Sequence, residues 1–429
     1  MESSITKLFL SHPYINFNLQ DNYGFTLLML SIESDNIELT RYLLKQPIIN
    51  TNLTNIYSES ALTLAIEFKR YDAISELLNI ENIDINLTDN NGVSILMKAI
   101  KNCMSFEIIL KIINHPNIDL NIVDKRGRNL LFYIINFNCD GVIKYLTSKG
   151  FDLNINQNLF TKESPLNMAI KYSDKTIVKE IISHPNLDIN KTDNRGRTPL
   201  MVAIECEDLE SVQLLLEDPN IIVNKNDRYK RLPLNYATEH NLFQIIELLV
   251  NHKDILINNK DVEGKTSLIC ASINDNVKIV NLLLEKKADV NIQDNYNYTA
   301  IMYAIERNYY KTFNTLILNN NINLNLFNDF KQNALILAVI TDNIGMVKKL
   351  VENKSVNINA TNQDHKTALI LAVDSKYCND LADELLIRKD IDINIKDVFN
   401  NTALSLSIES NKPTLTKKIL QFINSNKQA

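Results

Sequence analysis

Cysteine, histidine and one Gly-Lys-Thr triplet are the residues of this 429-residue chain whose chemistry could support catalysis or metal binding. Closely paired thiolates bind zinc or exchange disulfides. The cysteines are never closer than 36 residues and form no Cys-x-x-Cys pair: Cys103, Cys139, Cys206, Cys270 and Cys378. An odd number of cysteines without a signal peptide does not indicate a disulfide framework. We interpret them as small apolar side chains.

Histidine recurs in one pattern, because His12, His115 and His184 each precede a proline. A repeated imidazole could bind a metal ion, but no acidic or thiol partner recurs at ligand spacing. Helix termination is the favoured interpretation. The triplet Gly264-Lys265-Thr266 lacks the upstream glycine of a phosphate-binding loop. We therefore predict a protein that is not an enzyme and has no metal, cofactor or small-molecule substrate.

Charge and composition exclude several classes of partner. There are 45 Lys and Arg against 51 Asp and Glu, and a formal net charge of -6 gives no general attraction to nucleic acid or anionic lipid. No apolar run approaches the ~18 residues of a membrane helix, and the N-terminus lacks a signal peptide. We expect a soluble, cytoplasmic monomer. The Asn-rich and Ile-rich composition is typical of an AT-rich genome, and in a virus or parasite the role would be host-directed.

The chain is organised by an internal repeat. Its anchor is a leucine or isoleucine that recurs every 33 to 35 residues, which defines repeats 1 to 12: Leu28, Leu62, Leu96, Leu131, Leu166, Leu200, Leu234, Leu268, Ile301, Leu335, Leu369 and Leu404. An Asn column stands ten residues before the anchor: Asn18, Asn52, Asn86, Asn121, Asn156, Asn190, Asn224, Asn258, Asn291, Asn325, Asn359 and Asn394. We predict a half-repeat cap at 1–20, repeats 1 to 11 at 21–396, and repeat 12 with its cap at 397–429.

Each repeat predicts two helices and a projecting loop. Thr198 before Pro199 is a good N-cap, so a first helix should run to about Glu205. Apolar spacing from 209 to 216 predicts an antiparallel second helix, ended by a proline. The extended segment that follows should form a hairpin-like loop, which we call the finger. Five glycines occupy one column where the finger must turn: Gly24, Gly92, Gly127, Gly196 and Gly264.

This unit resembles the ankyrin repeat. The family signature Asp-x-x-Gly-x-Thr-Pro-Leu-His-x-Ala is best matched from Asp193 to Ala203, with Met201 in place of the His. The family ending survives from Leu283 to Asn291, and the resemblance extends over essentially residues 1–424. It implies an all-α ankyrin-repeat solenoid that acts as a protein–protein interaction scaffold or adaptor, with its partner on the concave face of fingers and first helices.

The Asn column has a structural interpretation. A buried Asn side chain can bond backbone groups of the adjacent loop and so fix one finger against the next. Repeat 5 departs from the pattern, because its finger at 159–163 lacks both the Asp and the Gly, and Ile134 in repeat 4 replaces a small residue. We expect a change of superhelix geometry over 124–165.

The predicted partner site lies on the finger tips of repeats 4, 6 and 7 and on their first helices. Its residues are Lys125, Arg126, Arg128, Arg195, Arg197, Glu205, Arg228, Tyr229, Arg231 and Glu239. Glu205 and Glu239 belong to an acidic column five residues after the anchor. Pairing with basic tips would also explain this column. The alternative function is nucleic-acid binding through the basic tips. Other tips are predicted to be aromatic: Tyr23, Phe25, Tyr57, Phe160, Tyr296, Tyr298, Phe330 and Phe399.

Overall fold

The computed structural model describes residues 15–151, 153–157 and 163–426. Within these ranges the regular structure is 24 helices and no strand, so the predicted all-α repeat fold is confirmed. The first helices of repeats 1 to 12 span Leu27–Glu33, Ala61–Glu67, Ile95–Lys101, Leu130–Asn136, Pro165–Tyr172, Pro199–Glu205, Pro233–Glu239, Ser267–Ile273, Ala300–Glu306, Ala334–Ile340, Ala368–Asp374 and Ala403–Glu409. The second helices span Ile37–Leu44, Tyr71–Leu77, Phe106–Ile113, Asp140–Ser148, Lys175–Ile182, Leu209–Glu217, Phe243–Val250, Val277–Glu285, Tyr310–Ile317, Ile344–Glu352, Cys378–Leu385 and Pro413–Asn426.

Most first helices begin where the sequence places an N-cap. The Thr198 hydroxyl accepts a hydrogen bond from the Met201 N–H, and Pro199 occupies the first turn. Ser60 caps Ala61–Glu67 in the same way. These contacts satisfy backbone donors that a short helix would otherwise leave unpaired. The capping predicted for repeat 6 is confirmed.

The core consists of the anchors and the small residues beside them. Leu200 and Ala203 are fully buried, as are the apolar residues Val212 and Leu215 of the following helix. Ile134 is also fully buried in the small-residue column. The chain forms two compact units, residues 1–206 with 217–221 and residues 207–216 with 222–429. Within each unit, first helices pack on first helices of adjacent repeats, and second helices on second helices.

One position of each described finger has a left-handed backbone, and it is occupied by Gly in five fingers and by Ser, Lys, Asn or His in the others. Gly264 turns its finger at a φ of +79°, and a Cβ there would lie 2.5 Å from the Asn295 side chain. Asn297 and Asn400 occupy the same column with φ of 60° and 66°. Asn is among the few residues that tolerate this left-handed conformation. The predicted turn column is confirmed for these fingers.

The irregular finger of repeat 5 lies largely at residues 158–162, outside the described residues, as do Phe160 and residues 1–14 of the predicted cap. Four fingers close with one isolated antiparallel bridge between residues six apart, such as Gln20 with Thr26 and Thr361 with Thr367. The hairpin-like form predicted for the finger is therefore confirmed there.

Candidate partner-binding surface

Each finger that the structure describes in full is built on the carboxylate or amide oxygen of its first residue. In repeat 7, Asp227 Oδ1 accepts the backbone N–H of Tyr229 at 2.8 Å and of Arg231 at 2.9 Å. The same two bonds recur in repeat 6, from Arg195 and Arg197 to Asp193. This turn sends the third finger residue outward and directs the fifth back toward the first helix.

Neighbouring finger tips are joined by backbone hydrogen bonds. In the C-terminal unit the Val262 N–H donates to the Tyr229 carbonyl at 3.0 Å, and the Asn295 N–H donates to Glu263 at 2.9 Å. In the N-terminal unit the Lys125 N–H donates to Asn91 at 2.8 Å. These bonds link the tips of repeats 3 and 4 in one unit and of repeats 7, 8 and 9 in the other, so these tips are not independent loops.

Most residues of the Asn column link their finger to the next one, as predicted. Asn291 Nδ2 donates to the Asn321 carbonyl at 2.8 Å, and its Oδ1 accepts the Asn323 N–H at 2.7 Å. Side-chain amides of this column donate in the same way in other repeats: Asn18, Asn52, Asn86, Asn156, Asn190, Asn224, Asn325 and Asn359. The prediction that these residues are buried is right for Asn190 but wrong for most, which are half-buried or exposed.

The predicted partner residues fall into two groups. The first group lies at the outer end of the fingers and is exposed: Lys125, Arg126, Arg195, Arg228 and Tyr229. Among the described residues, none of its four cations forms a side-chain ion pair. These side chains are free to contact another molecule.

The second group is turned inward. Arg197 is only 7% exposed, and its Nε donates to Asp193 Oδ2 at 2.8 Å. Arg128 and Arg231 bond the equivalent aspartates at 2.5 and 2.9 Å. The guanidinium of Arg231 also lies over the Tyr236 ring, 4.3 Å from its centroid. These arginines stabilise the finger and offer a partner little of their charge.

Two members of the acidic column pair with inward arginines. Glu205 binds Arg197, and Glu239 Oε2 accepts from Arg231 Nη1 at 3.2 Å. Burial raises the pKa of Glu239, and the neighbouring Arg231 opposes that rise. The two pairs support the structural interpretation of the acidic column, which is intramolecular pairing.

A tyrosine on the first helix completes the finger in three repeats. The hydroxyls of Tyr133 and Tyr236 donate to Oδ2 of Asp124 and Asp227 at 2.9 and 2.8 Å. Tyr303 bonds Asp294 in the same way at 2.5 Å. Sequence reasoning missed this column, although three tyrosines two residues after the anchor were visible.

Lys98 was also missed. It is 5% exposed in the same column of repeat 3, and its ammonium lies 2.6 Å from Glu67 and 3.3 Å from Glu59. Burial lowers its pKa, but hydrogen bonds and charge from Glu67 and Glu59 outweigh burial and raise it. A lysine in a column of apolar and aromatic residues was the available signal.

Most predicted aromatic tips are exposed. Tyr229 is 58% exposed, and other exposed tips are Tyr23, Tyr57, Tyr296, Phe330 and Phe399. The prediction was wrong for Tyr298, which is 8% exposed and donates its hydroxyl to Glu306 at 3.2 Å. Tyr298 is a fifth finger residue, so the turn points it inward. Phe25, at the same position, is half-buried.

No helix in the described parts of the chain is long and apolar enough to cross a membrane. The same parts contain no cluster of three or more His, Cys, Asp or Glu side chains placed to hold a metal ion. The histidines before prolines that are described, His115 and His184, accept backbone N–H bonds from Asn117 and Asn186 at 3.3 Å.

The family model described as ankyrin repeats (3 copies) matches residues 2–89, 62–157, 142–227, 166–261, 234–328 and 301–397. The chain therefore belongs to the ankyrin repeat family. Ankyrin repeats are generally protein–protein interaction modules, and the family is typically non-catalytic.

Several solved structures are similar to parts of this chain. The ankyrin repeat domain of Bcl-3, a member of the IkappaB protein family, is 20% identical with a TM-score of 0.44, over 49% of this chain and 94% of that one. An ankyrin repeat domain from Acinetobacter baumannii AYE is 25% identical with a TM-score of 0.42, over 44% and 97%. The ankyrin repeat protein EF0377 is 25% identical with a TM-score of 0.41, over 44% and 96%. A search of curated proteins gave no match.

Proposed function

We propose that this protein is a non-catalytic scaffold or adaptor that binds a partner protein through the finger tips of repeats 4, 6 and 7. The observation that carries the proposal is the division within each basic finger. Arg195 projects into solvent, whereas Arg197 two residues later is buried in ion pairs. The exposed cations have no structural task of this kind.

The partner that fits these tips has an acidic surface with aromatic residues. Lys125, Arg126, Arg195 and Arg228 would attract it and select against basic proteins, because charge complementarity chiefly sets encounter rate and specificity. Tyr229 would supply buried contact area, since Tyr and Arg dominate interface energies. The inward residues Arg128, Arg197, Arg231, Glu205 and Glu239 would position the tips.

We further propose that the protein acts as a monomer in the cytoplasm, which would be a host's cytoplasm for a viral or parasitic chain. Cys103 is an exposed free thiol, which suits a reducing compartment. Nucleic-acid binding is the alternative function for the basic tips. The net charge of -6 opposes it.

The experiment is capture from the native cell with the wild-type chain and two matched variants. The test variant is Arg195→Ala/Arg228→Ala/Tyr229→Ala, and the control is Tyr296→Ala/Phe330→Ala, which removes exposed tips elsewhere. We expect one acidic protein to be captured by the wild type and the control but not by the test variant. Capture of nucleic acid that falls steeply with added salt would support the alternative instead.

A further inference from the structure

A pocket of about 400 Å³ lies between the fingers and first helices of repeats 7 and 8, within the C-terminal unit. Tyr229, Arg231 and Glu239 form its repeat 7 side. Asp261, Lys265 and Cys270 form much of its repeat 8 side. Three of the residues predicted from the sequence therefore line one cavity.

One column changes residue type at this pocket. Two residues after the anchor, the flanking repeats 7 and 9 carry Tyr236 and Tyr303, and repeat 8 carries Cys270. Each of these tyrosines reaches the aspartate of its own finger with its hydroxyl. A cysteine is too short to reach, so the space of a phenol ring stays open in repeat 8.

Only one oxygen of the Asp261 carboxylate accepts a hydrogen bond from the described residues. Asp261 Oδ1 accepts the N–H groups of Glu263 and Lys265 at 2.9 and 2.8 Å, as in the other fingers. The Lys265 ammonium bonds Glu263 at 2.5 Å instead of Asp261. No donor among the described residues reaches Asp261 Oδ2.

The other walls favour a neutral guest with an aromatic ring. The Arg231 guanidinium is already bonded to Asp227 and Glu239, so it does not require an anionic guest. Cys270 is 7% exposed, and burial raises the pKa of its thiol to about 12, so it is an uncharged floor. Sulfur beside an aromatic ring is a favourable contact.

We propose that this pocket receives a tyrosine side chain of the partner protein, whose phenol O–H donates to Asp261 Oδ2. This inference rests on the proposed protein-binding function and names the anchor of that interface. The partner would supply the ring and hydroxyl that Tyr236 and Tyr303 supply in the flanking repeats. An arginine is the competing guest, because the carboxylates of Glu239, Asp261 and Glu263 line the pocket together with the two cations Arg231 and Lys265.

The test uses p-cresol, the tyrosine side chain alone, with binding followed by NMR of ¹³C-labelled isoleucine methyl groups, since Ile273 lines the pocket. We expect p-cresol to shift the Ile273 signal with a millimolar Kd, and toluene to bind at least about 10-fold more weakly because it lacks the donor. Absence of p-cresol binding, equal binding of toluene, or tighter binding of propylguanidinium would overturn the proposal.

Two variants locate the site. Asp261→Asn keeps the Oδ1 turn, because Asn328 and Asn362 occupy this position in repeats 10 and 11, but it replaces the acceptor Oδ2 with an amide donor. We expect it to weaken p-cresol at least about 10-fold. Asp397→Asn makes the same change in repeat 12 and should leave binding unchanged. Undiminished binding to Asp261→Asn contradicts the proposal.

Cys270→Tyr fills the pocket with the residue that both flanking repeats carry. We expect this variant to fold, to abolish p-cresol binding, and to weaken the partner. A partner that binds it normally but fails to bind the finger-tip variant would overturn the tyrosine anchor and leave the finger-tip proposal standing. Because the p-cresol measurement needs no partner, the two proposals fail separately.

Discussion

Glu163 and Lys171 form an ion pair in which acid and base have exchanged places relative to the pair of Arg197 and Glu205. Both pairs join the fifth finger residue to the end of the first helix, eight residues on. Arg231 with Glu239 has the same arrangement. The ion pair is kept although the finger residue and the helix residue have exchanged charges. The contact therefore stabilises the finger.

Exchanging the charges of Arg197 and Glu205 tests that conclusion. Arg197→Glu alone should destabilise by about 3–5 kcal/mol, because it leaves Asp193 facing a second carboxylate. Adding Glu205→Lys should recover about 1 kcal/mol or more of that loss. Urea unfolding of the two single variants and the double variant gives the coupling energy. Strict additivity would contradict the pairing.

Residues of the Asn column should contribute more to stability inside the array than at its end. Asn291→Ala removes two hydrogen bonds to the following finger and should cost about 1–3 kcal/mol. Asn394 makes no side-chain bond to another finger among the described residues, so Asn394→Ala should change stability by less than about 0.5 kcal/mol. Hydrogen exchange of the flanking fingers measures both. Equal losses would refute the account.

Asn167 is a predicted target for stabilisation. It is fully buried, and neither its Oδ1 nor its Nδ2 has a hydrogen-bond partner among the described residues. Met29, Met97 and Met201 occupy the same column in other repeats. Asn167→Met should therefore raise the unfolding free energy by about 1–3 kcal/mol. Thermal unfolding measures the change, and a lower midpoint would show that the amide is needed.

The finger of repeat 7 should make a pH-dependent contribution to the free energy of unfolding. Burial raises the pKa of Asp227, but N–H and hydroxyl donors from Arg231 and Tyr236 outweigh burial and lower it. A lowered pKa stabilises the fold above the unfolded value of about 4 and loses that effect as pH falls through the folded value. The stability difference between wild type and Asp227→Asn should be constant above about pH 5 and narrow below pH 4. A constant difference down to pH 2 would contradict the assignment.

Much of the fold could be predicted because the same sequence pattern recurs along the chain. Capping by Thr198, burial of Leu200 and the role of the Asn column follow from residues that recur in step with the anchor. The direction of the finger side chains could not be read in this way. Arg195 and Arg197 look alike in the sequence, and only the turn on Asp193 separates the exposed residue from the buried one.

The pocket was hidden for a different reason. Cys270 looks like an ordinary small core residue until it is aligned with Tyr236 and Tyr303, whose hydroxyls bond finger aspartates. The relevant feature is the tyrosine ring that repeat 8 lacks at this position. Tyr298 was misassigned because the fifth finger position was treated as part of the tip.

Partner affinity tests the central claim most directly. With the captured protein in hand, calorimetry should compare the wild type with Arg195→Ala/Arg228→Ala/Tyr229→Ala and with Tyr296→Ala/Phe330→Ala, all shown to be folded. The first variant should lose at least about 100-fold in affinity, because the few residues that cost about 2 kcal/mol or more on truncation are enriched in Arg and Tyr. The second should bind within about 3-fold of the wild type. Normal binding by the first variant and loss by the second would place the site on other fingers and contradict the claim.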